Sequence, residues 1–303
     1  MSIPIICDFL IHLFKLKFSS SYINTARSAV SFFSLDCLKL GNNVYMQRIF
    51  KFFYRKRPIR SKYLTYWPVS SVLNLLRSWH PISSLSLKQL TLKTLALIAL
   101  SSSDRGQTIH LMDITHIEVL DNHINFIILS RTKTTKRKLT PVIVKCICTH
   151  NEELNVASYV KYYLDATKEF RENSTPPKNQ LFLSWKTHGP VTKQTIARWL
   201  TTVLSLSGID TSKYTAHSYR GAGLSAAYRR GASLPSIMAA GNWTNISTFL
   251  SFYSAPSYDS SIGRLILEDN GKNNYCLPLH CRAGYAAERE STLSTSLPSE
   301  VDR

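Results

Sequence analysis

Three short stretches decide how this chain reads: Ala216-His217-Ser218-Tyr219-Arg220-Gly221-Ala222-Gly223, then Gly241-Asn242-Trp243, then Phe249-Leu250-Ser251-Phe252-Tyr253. His217 and Arg220 stand three apart at the start of a predicted helix, so they share a face and can converge on one anion. The pair alone is weak, because nine histidines in a chain with this much arginine give an HxxR by chance about every second time. Alone, His217 reads more readily as a capping or core histidine. The residues that follow sharpen the reading: a tryptophan 26 positions after His217, and a tyrosine 10 positions after that, on a short predicted helix from Asn245 to Tyr253.

Working outward, the period of the apolar residues changes twice. Ile6, Phe9, Leu10, Leu13 and Phe14 recur at helical spacing, as do Ile23, Ala26, Val30 and Phe33, and a third helix is expected over Val44 to Tyr54. Arg55-Lys-Arg-Pro-Ile-Arg-Ser-Lys62 is poor core material and reads as a linker. Helices are then expected over Ser70 to Trp79 and Leu85 to Leu100. In the middle the period falls to two, with strands over Ile114 to Leu120 and His123 to Leu129 about an Asp121-Asn122 turn, and a third over Leu139 to Lys145. Helical spacing returns over Val156 to Phe170 and Thr192 to Leu206, joined by a proline-containing connection from Glu172 to Gln180. Ser218 to Arg230 and Ser233 to Ala240 follow, each closed by a glycine. The expected class is α+β, mostly α-helical: a small N-terminal helical domain, then a helical domain carrying a small antiparallel sheet.

The 303 residues hold 37 Lys and Arg against 19 Asp and Glu, a net charge of +18, with 44% hydrophobic residues to build a core. Eleven of the bases fall in residues 1–64 against only Asp8 and Asp36, and Arg131, Lys133, Lys136, Arg137 and Lys138 form a second cluster. A single charge run is usually a solvated face. Two runs on so basic a chain point to a polyanion, since Lys and Arg neutralising phosphates supply most non-specific nucleic-acid affinity. Arg55, Lys56, Arg57, Arg60, Lys62, Arg131, Lys136, Arg137 and Lys138 are the expected nucleic-acid contacts. No long uncharged apolar run suggests a membrane span, and six scattered cysteines fit a reducing compartment rather than a disulfide scaffold. Cys146, Cys148 and His150, or Cys276, His280 and Cys281, lack the paired spacing of strong zinc motifs, so no metal and no cofactor are expected.

HxxR followed by Trp243 and Tyr253 resembles the catalytic domain of the tyrosine recombinases, the phage integrase family. The resemblance places the family's first arginine at Arg105, after the apolar helix ending near Leu100, and its loop lysine at Lys133, with Lys136 as runner-up. It implies the DNA breaking-rejoining fold, with a SAM-like core-binding domain at 1–64 that lacks room for a complete first helix, a catalytic domain at 69–264 and a loosely ordered tail at 265–303. The implied catalytic set is Arg105, Lys133, His217, Arg220, Trp243 and Tyr253, acting through a 3′-phosphotyrosyl intermediate without metal or ATP. Double-stranded DNA and a homo-oligomer, dimer or tetramer, are the implied partners.

Within the family, His217-Ser-Tyr-Arg-Gly221, the tryptophan at 243 and Tyr66 to Pro68 are similar to recombinases of eukaryotic DIRS/Ngaro-type or Crypton-like mobile elements. That placement implies the nucleus in a eukaryotic host, and otherwise the cytoplasm with the chromosome. Gly221 stands where bacterial members commonly carry a second histidine, and Asp104 before Arg105 suggests an ion pair. Two further readings stand beside strand transfer: a non-catalytic DNA-binding remnant of such a recombinase, and a type IB topoisomerase, which shares the chemistry.

Overall fold

The computed structural model describes residues 2–33, 40–58, 63, 65–130, 141–243, 245–246 and 249–250, all within the compact unit Met1–Ala255. Its elements in chain order are α1 (Ile3–Lys15), α2 (Ser20–Phe33), α3 (Val44–Lys56), α4 (Val69–Ser78), α5 (Leu87–Ser102) and α6 (Gly106–His110), then β1 (Ile117–Val119), β2 (His123–Ile128) and β3 (Val142–Ile147). They continue as α7 (Val156–Ala166), α8 (Lys168–Glu172), α9 (Lys193–Leu206), α10 (Ser218–Arg229) and α11 (Leu234–Ala240).

The larger core is built around α5. A capping box starts this helix, with Ser86 Oγ accepting from the Gln89 amide and the Gln89 side chain accepting from the Ser86 amide. From Leu90 to Ala99 every residue is buried, the pattern of a helix surrounded by others. The α7, α9 and α10 helices and β3 pack around it. The three strands form one antiparallel sheet in the order β1-β2-β3, and Ile124, Phe126, Ile128, Val144 and Cys146 turn their side chains to the core. One cation is enclosed within α5. Lys93 Nζ donates to the Trp79 carbonyl and the Tyr159 hydroxyl, each at 2.6 Å, and burial pulls its pKa down to about 8.

The α1, α2 and α3 helices close their own cluster, centred on Ile6, Leu10, Ile23, Met46 and Phe53. Arg57 ends this unit by donating to the carbonyls of Phe14 and Phe18, its guanidinium 3.4 Å from the centre of the Phe14 ring. A cation on the last carbonyls of α1 complements that helix's dipole.

The third strand ends at Ile147 rather than Lys145, and three further differences from expectation have local reasons. The first strand is shorter than Ile114 to Leu120, because Asp113 Oδ1 accepts from the Thr115 amide and hydroxyl and bends Ile114–His116 into a turn. The helix expected to run from Val156 to Phe170 breaks at Thr167, whose hydroxyl donates to the Tyr163 carbonyl at 2.7 Å. At five residues, α6 is too short to show periodicity in a sequence.

The connection after α8 is held by a buried arginine. Arg171 donates to the carbonyls of Lys178 (3.0 Å), Gln180 (2.7 Å) and Leu181, and to Thr167 Oγ1 (3.1 Å). The segment it fixes pairs in turn with the chain just after α6: Ile114 donates to Asn179 and Leu181 to Met112, both at 2.8 Å. Gln180 also meets His110 at the end of α6. Arg171 thereby steadies the far end of the short helix that begins at Arg105.

At the near end, α5 stops because Ser103 turns left-handed, with φ of 53°. Asp104 follows, and Arg105 is the N-cap of α6. Burial pushes the Asp104 carboxyl up to about 6, opposed by Arg220, by a hydrogen bond from Ser102 and, last, by Arg105. The expected Asp104–Arg105 ion pair does not form: among the described residues, ion pairs join only Arg77 to Glu153 and Lys168 to Glu172. Of the two arginines, Arg220 does more than Arg105 to hold the carboxyl's pKa down against burial.

Two stability predictions follow from these groups. Arg171→Ala leaves several carbonyls without their charged donor and should lower the denaturant-derived unfolding free energy by about 3 kcal/mol or more. For Asp104, a raised folded pKa means that the folded state binds the proton more tightly. Its contribution is therefore most favourable below the unfolded value near 4 and is lost as pH rises through about 6. Asp104→Asn should leave stability near pH 4 little changed and raise it at pH 7 by on the order of 1–3 kcal/mol, measured by urea unfolding across that range.

Candidate active site

His217 is positioned from below by an aromatic ledge. Tyr214 OH donates to the Thr65 carbonyl (2.9 Å), Tyr63 OH meets Thr215 Oγ1 (3.1 Å), and Trp67 Nε1 donates to Ser218 Oγ (2.8 Å). These bonds fix the chain on both sides of His217, the N-cap of α10. Tyr219 is a packing residue, as its place in the helix suggests. It is buried, burial raises its pKa, and its hydroxyl donates to the Leu200 carbonyl at 3.1 Å.

Arg220 is 3% exposed. Its Nη1 donates to the Ser103 carbonyl at 3.0 Å and its Nη2 donates to the Gly241 carbonyl. One side chain thus ties the α5–α6 turn, α10 and the C-cap of α11 together. The Trp243 ring lies 4.8 Å from the guanidinium carbon, within cation–π range. One glycine makes this approach possible, and a second admits Tyr66 against α10. A Cβ on Gly241 would lie 2.2 Å from the Trp243 ring, and one on Gly221 would lie 2.1 Å from the ring of Tyr66. Tyr66 thus occupies the space into which a side chain at 221 would project.

Arg105, His217 and Arg220 line one cleft of about 240 Å³, joined there by Asp104, Gln107 and Lys193. Of the six residues expected to form the site, three share this cleft and Trp243 packs on one of them. Lys133 and Tyr253 lie outside the described residues, as do Arg60, Lys62, Arg131, Lys136, Arg137 and Lys138. Sequence spacing did not find Lys193. It is the first residue of α9, next to the N-cap Thr192, and nothing in the local pattern sets it apart from other surface lysines.

In the N-terminal unit, Arg55 lines a separate groove of about 690 Å³ with Arg27, Lys51 and the rings of Phe50 and Tyr54. Lys56 is exposed beside it, while Arg57 is engaged with α1. Among the described residues no three His, Cys, Asp or Glu side chains are grouped to hold a metal ion, and Cys146 is a core residue whose thiol burial pushes up to about 12. No helix among them is long and apolar enough to cross a membrane.

The phage integrase family profile matches residues 71–259, more than half of the chain. No curated protein sequence matches it. Among solved structures, the Tn1549 transposon integrase in complex with circular intermediate DNA is similar at 12% identity and a TM-score of 0.54, over 88% of this chain and 85% of that one. A lambda integrase (75–356) dimer bound to a COC′ core site is similar at 13% identity and a TM-score of 0.50, over 86% and 82%. XerH recombinase in its pre-cleavage complex with difH substrate gives 13% identity and a TM-score of 0.46. This chain covers about half of it, 48%, over 61% of its own length. Two arginines and a histidine on one cleft, a mostly helical fold with a three-stranded sheet, and the profile match agree: this chain belongs to the phage integrase family, the tyrosine recombinases.

Proposed function

We propose that this recombinase cuts and rejoins DNA strands with Tyr253 as nucleophile, and that the cleft formed by Arg105, His217 and Arg220 holds the scissile phosphate. The observation that carries the reading is the convergence on one cleft of Arg105 with His217 and Arg220, which follow it by 112 and 115 residues.

In this mechanism the tyrosine oxygen attacks phosphorus, the bond to the 5′ oxygen breaks, and a 3′-phosphotyrosine results. Attack by a 5′-hydroxyl reverses the step and joins the strands, so the phosphodiester energy is retained. Negative charge concentrates on the non-bridging oxygens as the phosphorus becomes five-coordinate. Arg105 and Arg220 are suited to meet it because planar guanidinium forks bind phosphate oxygens two at a time. A guanidinium has five N–H donors, so the bonds of Arg220 to Ser103 and Gly241 are compatible with phosphate contact. The same two bonds fix its orientation before substrate arrives, which is what makes such donors effective. His217 and the indole N–H of Trp243 add hydrogen bonds to the oxygens. The tyrosine phenol, with an ordinary pKa near 10, passes its proton to His217, and the positive surround stabilises the phenolate that attacks. Lys133 serves as general acid to the departing 5′ oxygen.

In the same reading, residues 1–64 form the core-binding domain, with the Arg27, Lys51 and Arg55 groove and Lys56, Arg60 and Lys62 against the DNA backbone. Residues 69–264 are the catalytic domain, with Arg131, Lys136, Arg137 and Lys138 against the same backbone, and 265–303 are a tail. The protein works as a homo-oligomer on duplex DNA, and it comes from a mobile element of the eukaryotic DIRS/Ngaro or Crypton-like kind, acting in the nucleus. The subgroup rests on His217–Gly221, Trp243 and Tyr66–Pro68. The matched Tn1549 and lambda proteins are described as integrases on DNA.

Nicked suicide duplexes drawn from a randomised pool should trap a covalent protein–DNA adduct, seen as a denaturation-resistant band, and Tyr253→Phe should abolish it while DNA retention persists. Retention with no adduct from any duplex would overturn the catalytic reading and leave a DNA-binding remnant. Arg220→Lys should slow adduct formation at saturating DNA by about 10²–10³-fold, because an ammonium cannot hold two carbonyls and a phosphate in one plane.

A further inference from the structure

We propose that Lys193 is a DNA-positioning residue that binds a backbone phosphate beside the one held by Arg105, His217 and Arg220. The inference deepens the strand-transfer reading and rests on the cleft holding a DNA phosphate.

Three observations carry it. Lys193 lines the same cleft as the three expected catalytic side chains, on the wall that α9 supplies against α6. Its backbone is fixed: Thr192 Oγ1 accepts from the Thr195 amide as N-cap, and α9 is anchored by Ile196, Trp199 and Leu200 in the core. The ammonium is exposed, and among the described residues no carboxylate lies within ion-pair distance of it. A lysine with a fixed base, an exposed head and no acidic partner serves a ligand rather than the fold. Its charge is felt locally, since it contributes after burial to lowering the pKa of His110 at the other end of α6.

The chemistry selects phosphate over a base edge. A lysine ammonium is a compact point charge without the planar fork that reads guanine, and beside two arginines that grip one phosphodiester it suits the next charge along the strand. Lys193 therefore holds the strand in register and takes no part in bond breaking.

The test compares wild type, Lys193→Ala and Lys193→Arg in binding to a fluorescein-labelled random duplex over a range of salt, and in single-turnover cleavage of a suicide duplex as its concentration is varied. Lys193→Ala should flatten the slope of log K against log salt by about 0.9 and raise the DNA concentration giving half-maximal rate by about 5–10-fold, with a smaller effect on the limiting rate. Lys193→Arg should restore both, and thermal unfolding of the three proteins should coincide. An unchanged salt slope overturns the proposal. So does a loss confined to the limiting rate, which would make Lys193 a participant in the chemistry. If the wild type gives no adduct, strand transfer falls, while the salt slope still decides whether Lys193 binds phosphate.

Discussion

The site depends on one buried guanidinium and the two main-chain carbonyls that accept from it. A cation removed from water costs several kcal/mol unless hydrogen bonds replace its hydration, so Arg220 is tolerable at 3% exposure only where oxygen atoms meet it. Ser103 and Gly241 provide them from segments more than a hundred residues apart. The requirement runs both ways. Each carbonyl belongs to a chain reversal, the left-handed exit of α5 or the C-cap of α11, where a helix leaves carbonyls without internal partners. Satisfying Arg220 therefore finishes two helices and brings their ends to the cleft. Gly241 is a consequence of the same closeness, because a methyl group there would enter the Trp243 ring that lies beside Arg220.

The rigid support for this arrangement is α5, and the same logic of cation and carbonyl recurs away from the site. Lys93 is held by the Trp79 carbonyl and a tyrosine hydroxyl, Arg171 by three carbonyls, and Arg57 by two at the end of α1. Among the described residues Lys93, Arg171 and Arg57 have no carboxylate within ion-pair distance, so for them the chain's shortage of acids is met by carbonyl and hydroxyl oxygens. The net charge of +18 then divides in two. Part of it is consumed in tying loops and helix ends, and the rest is what a polyanion meets. A count of lysines and arginines overstates the second part, and Arg57 shows how: its place in a basic linker suggests a phosphate contact, while its guanidinium already sits on Phe14.

The long helices, the antiparallel hairpin and the nearness of His217, Arg220 and Trp243 were legible in the sequence because each leaves a local trace: an apolar stripe, an alternation, or a fixed spacing along one strand of chain. Arg105 was legible only as the arginine after an apolar helix, since its five-residue helix leaves no period. Lys193 was not legible, because what distinguishes it is the wall opposite, made of residues nearly ninety positions away. Arg171 was hidden for the opposite reason. An arginine in an acidic, polar connection reads as solvated, and only the folded return of residues 178–181 turns three carbonyls upon it.

The tryptophan at position 243 is explained by the same guanidinium. A histidine there could donate a hydrogen bond, but it titrates near neutral pH, and as imidazolium it would add a third positive charge against Arg105 and Arg220. An indole donates through Nε1–H at every pH, never accepts, and offers a face that attracts a cation. At 4.8 Å from the Arg220 guanidinium carbon, with Phe249 5.6 Å away on the buried side, Trp243 covers the arginine and is itself held by the small cluster of Leu224, Ile237 and Phe249. Replacing it with histidine would remove the cover from a buried charge while keeping a donor. The ring therefore contributes packing and electrostatics to Arg220, and Gly241 must stay without a side chain to admit it.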